Sequence, residues 1–274
     1  MRQPNKVGDL ARGPFYVDQL REGDRYELSR GHSLLCAPAG PKHARPHFVG
    51  PLALASDPAV SDGGTDVGHA LGPQTLRAPD LSIGDLGESD GTWSTKAPPL
   101  AVEYAEKGQD EADLQNKIAE LLEAGTRWVW VVRLLGPRRV EVYQKGRPRR
   151  IKHPGERIAA PGVLKNAPLV EALYDREAAF EQTLQNLLER KGYQGLGAVR
   201  AEGHAEGHAE GRAEGRAEGR VEGLRLAVVD LCEAFGIALG PKRRARLETM
   251  GASELEALRR ALKQQKRWPA RAAR

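Results

Sequence analysis

Asp80 directly after Pro79, Glu103 directly after Ala101-Val102, and Lys117 on the segment that follows are the residues of this chain whose types and order could do chemistry. Hydrolysis of a phosphodiester needs a metal ion to neutralise the phosphate, an oriented water, and stabilisation of the charge that develops in the transition state. Two carboxylates suit Mg²⁺, a hard cation that keeps several of its waters and takes only one or two protein carboxylates. An acidic residue inside a buried-type strand is costly unless it is paired or metal-bound, which singles out Glu103. Taken one at a time, each residue has a plainer reading. Asp80 could be a turn or cap residue, Glu103 an edge-strand carboxylate, and Lys117 a lysine whose stem covers apolar surface while its ammonium stays wet. Their order along the chain is what argues for a shared site.

The elements that must position them can be read from the flanking pattern. Leu81-Ser82-Ile83 and Leu100-Ala101-Val102 are two short apolar strands separated by a polar loop; Asp80 opens the first and Glu103 closes the second. A helix is predicted from near Asp110, an N-cap with Asp113 in the first turn, to Gly125 as the residue just past its end. Its apolar stripe is Leu114, Ile118, Leu121 and Leu122. At about 100° per residue, Lys117 falls just beside that stripe, with Asp113 on the same flank as a candidate partner. The run from Trp128 to Leu134 is apolar on both faces and should be a central strand. After Gly136-Pro137, Val140 to Tyr143 alternates as a strand with one wet face. Short strands over 149–151 and 157–159 and a helix over 169–190 complete the reading.

Upstream, 25–28 and 33–36 read as a hairpin. The stretch 37–76 is rich in Pro, Gly and Asp and carries no assignable pattern. Its His43 and His47, four apart, read as surface histidines because Pro46 opposes a helix there. The order strand, strand, helix, strand, strand implies a mixed sheet with at least one packed helix, an α/β or α+β sandwich.

With 274 residues and 40% apolar content, the chain can build one sizeable domain plus an extension. The expected layout is a loosely ordered start over 1–20, a globular body over 21–190, a repeat over 191–223 and a basic helical hairpin over 224–274. The longest apolar run is too short to span a bilayer, and the first residues lack a signal peptide's apolar core. Cys36 and Cys232 have neither disulfide-framework nor zinc spacing. A cytoplasmic protein without a membrane partner is expected.

The net charge of +5 is uneven, because 242–274 carries eleven Lys/Arg against three Glu. Arg243, Arg244, Arg246, Arg259, Arg260 and Lys263 on that tail could attract a phosphate-bearing partner, or simply form a solvated helix face. In the repeat, Ala, Glu, Gly and His or Arg cycle with period four from Arg200 to Gly223. Spacing of four sets like charges side by side on a helix, and each glycine costs roughly 1 kcal/mol relative to alanine. Such a segment should be a flexible or weakly helical tether, or a homo-oligomer contact over 200–223 in which Glu meets Arg across the interface.

The run APDLSIG, then PPLAVEYAEKGQDEADLQNKIAELLEAGTRWVWVV, then RRVEVY resembles the Uma-type putative restriction endonuclease family, within the PD-(D/E)XK nuclease superfamily. The resemblance covers roughly 20–175 and lies in order and spacing: Pro-Asp at one strand, Val-Glu at the next, and a lysine fourteen residues later. It implies a restriction-endonuclease-like core, with Asp80, Glu103 and the backbone carbonyl of Tyr104 binding Mg²⁺ or Mn²⁺ and Lys117 as catalytic lysine. That lysine sits on the helix because position 105, where the superfamily's usual motif would put it, is Ala105. Glu27 resembles a hairpin glutamate that the family carries near its active site. Two departures stand out: Glu106 where many members have serine, and Pro46, Pro51 and Pro58 where the family has a cleaner helix.

A metal-dependent endonuclease acting on DNA is the expected function. The alternative is a non-cleaving nuclease-fold scaffold or nucleic-acid-binding protein that assembles through its repeat.

Overall fold

A computed structural model of the chain describes residues 13–36, 38, 41–87, 92–105 and 110–269, with only the backbone for 41–44. The expected loose start over 1–20 lies largely outside the described residues. Its last part is tied down, since the Phe15 N–H donates to the Gly31 carbonyl and the Val17 N–H to the Pro73 carbonyl. Glu106 also lies outside them.

Strands β1 (Tyr26–Ser29) and β2 (His32–Leu35) form the predicted hairpin. Its turn residues Arg30 and Gly31 both have positive φ, 49° and 83°, which suits the twist of the flanking strands. The stretch that carried no pattern then builds four elements: α1 (Pro41–Ala55), β3 (Gly63–Thr65), β4 (His69–Gly72) and β5 (Thr75–Arg77). Pro46 and Pro51 each remove a ladder donor from α1. The helix forms regardless because Val49, Ala53 and Leu54 are buried, and packing outweighs propensity.

Next come β6 (Leu81–Ile83), β7 (Leu100–Ala105), α2 (Glu111–Ala124), β8 (Trp128–Arg133), β9 (Arg139–Tyr143) and β10 (Arg150–Lys152). The strands assemble as a four-stranded sheet, β2-β1-β5-β4, and a six-stranded sheet, β10-β9-β8-β7-β6-β3. All pairs are antiparallel except β7 with β8, which α2 joins as the crossover a parallel pair requires. The α2 termini are as predicted: the Asp110 side chain accepts from the Ala112 and Asp113 amides, and Gly125 ends the helix at φ 115°.

Strand alternation divides the core. Leu100, Val102 and Tyr104 of β7, with Trp128, Trp130 and Val132 of β8, face one layer. Ala101, Ala105, Val129 and Val131 face the other, beneath Leu114, Ile118 and Leu121 of α2. Glu103 shares the α2 face by the same alternation.

Three expectations change. β9 has no wet face, because Glu141 is buried in ion pairs with Arg133, Arg139 and Arg149. The strand over 157–159 reduces to one bridge, Arg157 with Leu169. The helix over 169–190 is split into a 3-10 turn, Val170–Leu173, and α3 (Arg176–Arg190), whose N-cap Asp175 accepts from the Ala178 amide.

The chain divides into two units, Met1–Gly195 and Leu196–Arg274. In the second, α4 (Leu196–Ala234) runs unbroken through the repeat, so the segment is a continuous helix and the expected boundary at 223/224 falls inside it. A helix that sequence reading missed, α5 (Pro241–Thr249), precedes α6 (Ala252–Gln265). The end of α4 packs with both through Val228, Cys232, Leu247, Leu255 and Leu258. Among the described residues, no helix is long and apolar enough to cross a membrane.

Candidate active site

β6 and β7 pair with Leu81 opposite Val102. One residue further along that register, Asp80 stands beside Glu103, and side chains directly opposite in an antiparallel pair share a face. The Tyr104 N–H donates to Asp80 Oδ2 at 2.6 Å, fixing the aspartate against the end of β7. Glu103 is almost fully buried, and Lys117 reaches down from α2 to place its ammonium 2.8 Å from Glu103 Oε1. The same ammonium donates to Glu27 Oε1 at 3.0 Å and to the Ala78 carbonyl at 2.8 Å. Two of its three donors are thus engaged in hydrogen bonds, and its charge pairs with Glu103. Asp113, the partner expected on the helix flank, is exposed, and the lysine turns away from it.

Four residues that residue types alone did not bring forward, or brought forward differently, complete the cluster. Arg77 is buried and links Glu27 Oε2, at 3.1 Å, to Glu120 Oε2, at 2.5 Å. Glu120 also accepts from the Ser29 hydroxyl at 2.7 Å. His47, read from the sequence as a surface histidine, has Nε2 3.4 Å from Asp80 Oδ2, and its ring centre lies 4.4 Å from that of Tyr104. The reading failed because α1 forms despite its prolines and carries the ring inward; the side chain of His43 lies outside the described residues. Asp66, on the β3–β4 turn, has its carboxyl pKa raised by partial burial and by the charge of Asp80. A lone charged residue next to a short strand was the only sequence signal for Arg77, and none marked Asp66.

The electrostatics follow from burial and charge count. Four carboxylates (Glu27, Asp80, Glu103, Glu120) meet two buried cations, Lys117 and Arg77. Burial pushes the Glu103 carboxyl up to about 8; Lys117 opposes that shift, and Asp80 and Glu27 add to it. For Lys117, burial works against the ammonium, yet Glu103, Glu27 and Asp80 more than offset it and the pKa rises. The lysine therefore stays charged, and acidic groups outnumber the buried cations in the cluster.

Among the described residues, no three His, Cys, Asp or Glu side chains gather closely enough to hold a metal ion unaided. Two adjacent carboxylates still fit Mg²⁺, which needs only one or two and keeps its waters.

A family model matches residues 14–169, that of Uma2, described as putative restriction endonuclease. The chain belongs to this Uma2 family. The family lies within the PD-(D/E)XK superfamily, and this chain has a mixed α/β core of two sheets with flanking helices. Among solved structures, one from Anabaena variabilis ATCC 29413, titled a putative nuclease belonging to DUF820, is similar at 15% identity and a TM-score of 0.51. The match covers 61% of this chain and 99% of that one and concerns the fold alone. No curated protein matches. The family match ends before the repeat, so α4 to α6 lie outside it.

The six basic residues of the tail sit on α5 and α6, in the second unit. Arg243 donates to the Ala238 carbonyl at 2.7 Å and stacks over Trp268, and Arg244 donates to the Leu239 carbonyl at 3.2 Å. These two close a loop. Arg259 is half-buried, and Arg246, Arg260 and Lys263 are exposed.

Proposed function

We propose that this Uma2 protein is a metal-dependent endonuclease that hydrolyses DNA. The observation that carries the reading is the convergence of Asp80, Glu103 and Lys117 in one buried cluster where acidic groups outnumber the cations. Asp80, Glu103 and the carbonyl of Tyr104 would hold Mg²⁺ or Mn²⁺, which when bound supplies charge neutralisation at the phosphate and a more acidic water. Lys117, kept protonated by its three acidic neighbours, orients the attacking water and stabilises the oxyanion that develops. Glu27 has both oxygens engaged, by Lys117 and Arg77, so it acts as the lysine's anchor. The outward charges of the tail add sequence-independent attraction to phosphates, which makes affinity fall steeply with salt.

The test is incubation of purified protein with plasmid and single-stranded DNA in Mg²⁺, Mn²⁺ or chelator. Cleavage is expected with metal only, and Glu103→Ala or Lys117→Ala should lower its rate by about 10²–10⁴-fold. Cutting that persists in either variant removes these residues from the mechanism.

A second reading, a nuclease fold that binds nucleic acid or serves as a scaffold without cutting, draws on two observations. Lys117 is already held by Glu27, the Ala78 carbonyl and the charge of Glu103, and no three metal-ligating side chains gather among the described residues. Tight DNA binding without cleavage under any metal would favour it.

Assembly through the repeat belongs to either reading. From 201 to 220 every residue of α4 is exposed, so this stretch lacks a buried face of its own. Around the helix the registers run Ala, Glu, Gly, basic, at about 100° apart. Glu therefore flanks the Ala seam on one side and His or Arg flanks it on the other. A two-fold axis parallel to the helices sets Glu against the basic register along both edges. An antiparallel pair would set Glu against Glu. A parallel pair of two copies is the arrangement this pattern supports, wound to the right because the period exceeds 3.6.

A further inference from the structure

The geometry points to Arg77 and Glu120 as positioning residues for Lys117, acting through Glu27; the inference rests on the endonuclease reading and deepens it. The four side chains alternate in sign and form a closed circuit. Lys117 contacts Glu27 Oε1 at 3.0 Å, Glu27 Oε2 contacts Arg77 at 3.1 Å, and Arg77 Nε contacts Glu120 Oε2 at 2.5 Å. Glu120 lies three residues after Lys117, on the same face of α2, so the helix backbone closes the ring.

The ring joins three elements. Glu27 comes from β1 and Arg77 from β5, and the register that sets Leu28 opposite Leu76 brings the two side by side. Arg77 is also three residues before Asp80, and the carbonyl of the intervening Ala78 accepts from Lys117. Every member is buried: Arg77 is 1%, Glu120 5%, Glu27 8% and Lys117 9% exposed. A buried charge missing one partner is strongly unfavourable, so the members hold one another in place.

Removing Arg77 leaves Glu27 anchored at one oxygen. The carboxylate then turns toward water and draws Lys117 off Glu103 and the Ala78 carbonyl. Asp80 and Glu103 keep their own places, because neither touches Arg77 or Glu120. Losses of this kind, in groups that orient a reacting residue, run at about 10–100-fold.

The experiment compares wild type with Arg77→Gln, Glu120→Gln, Glu27→Gln and the pair Arg77→Gln with Glu27→Gln, each checked for a folded circular-dichroism spectrum. Arg77→Lys serves as the milder variant should Arg77→Gln fail to fold. Three readouts are taken: kcat and KM for cleavage, Mn²⁺ affinity, and labelling of the Lys117 amine quantified by peptide mass. We expect kcat to fall by about 10–100-fold with KM and Mn²⁺ affinity within about threefold of wild type. Lys117 labelling should rise several-fold, and Arg77→Gln should add little once Glu27→Gln is present. Unchanged kcat and labelling in folded variants would overturn the proposal, as would effects of Arg77→Gln and Glu27→Gln that simply multiply. If wild type cuts nothing, the endonuclease reading fails, and Lys117 labelling alone then decides the positioning role.

Discussion

Glu103 is central to the proposed chemistry, and its environment makes a pH prediction. Burial and the charges of Asp80 and Glu27 raise its pKa from the ordinary 4.5 to about 8. Between those two values the folded protein holds a proton that the unfolded chain does not. The contribution of this group to stability is therefore present below 4.5 and is lost as pH rises toward 8. A divalent cation competes for the same carboxylate, so its binding must release a proton. Mn²⁺ affinity is expected to rise with pH between about 6 and 8 and then level off, with proton release in calorimetry at pH 7 that Glu103→Gln abolishes. A pH-independent Mn²⁺ affinity would remove Glu103 from the ligand set.

At the scale of elements, the site depends on how closely α1 lies against β7. Gly50 of α1 passes so near Tyr104 that a Cβ there would lie 1.9 Å from the Tyr104 hydroxyl and 2.8 Å from the Leu173 carbonyl. That hydroxyl donates to Leu173 at 2.9 Å, while the backbone N–H of the same tyrosine holds Asp80. Gly50→Ala therefore pushes on the strand residue that fixes the aspartate. A loss of about 1–3 kcal/mol in urea unfolding is expected, with weaker Mn²⁺ binding in the molecules that remain folded. Wild-type stability in this variant would mean that α1 can move away without disturbing β7.

For the whole molecule, the second unit adds a helical extension that the family match does not cover. In α4 the Ala and basic registers turn into Val221 and Leu224, the point at which the helix acquires a core with α5 and α6. Before that point, from 201 to 220, its surface is the exposed charged repeat alone. Sedimentation should give a dimer for the intact chain and a monomer for one cut before Arg200, with the dimer weakening as salt rises. Single cysteines placed at Ala213, on the Ala seam, in a Cys36→Ser background, should cross-link like to like if the helices run parallel. A monomeric intact chain removes the assembly reading.

The sequence by itself determined the local parts: the hairpin, the capped helix α2 with Lys117 beside its stripe, the buried strands and the Asp80–Glu103 order. These are short-range consequences of turn residues, caps and periodicity, and they carry the family resemblance as well. Only the tertiary structure decided the rest. α1 forms over two prolines because burial of Val49, Ala53 and Leu54 outweighs two missing ladder bonds, and that brings His47 to Asp80. Glu141 becomes a core carboxylate because three arginines from β8, β9 and the segment before β10 converge on it. The ring through Glu27, Arg77 and Glu120 joins residues separated by up to 93 positions, 27 to 120, and no local pattern reports such a contact. Long-range charge pairing is set by which strands become neighbours, and the strand order is a property of the folded molecule.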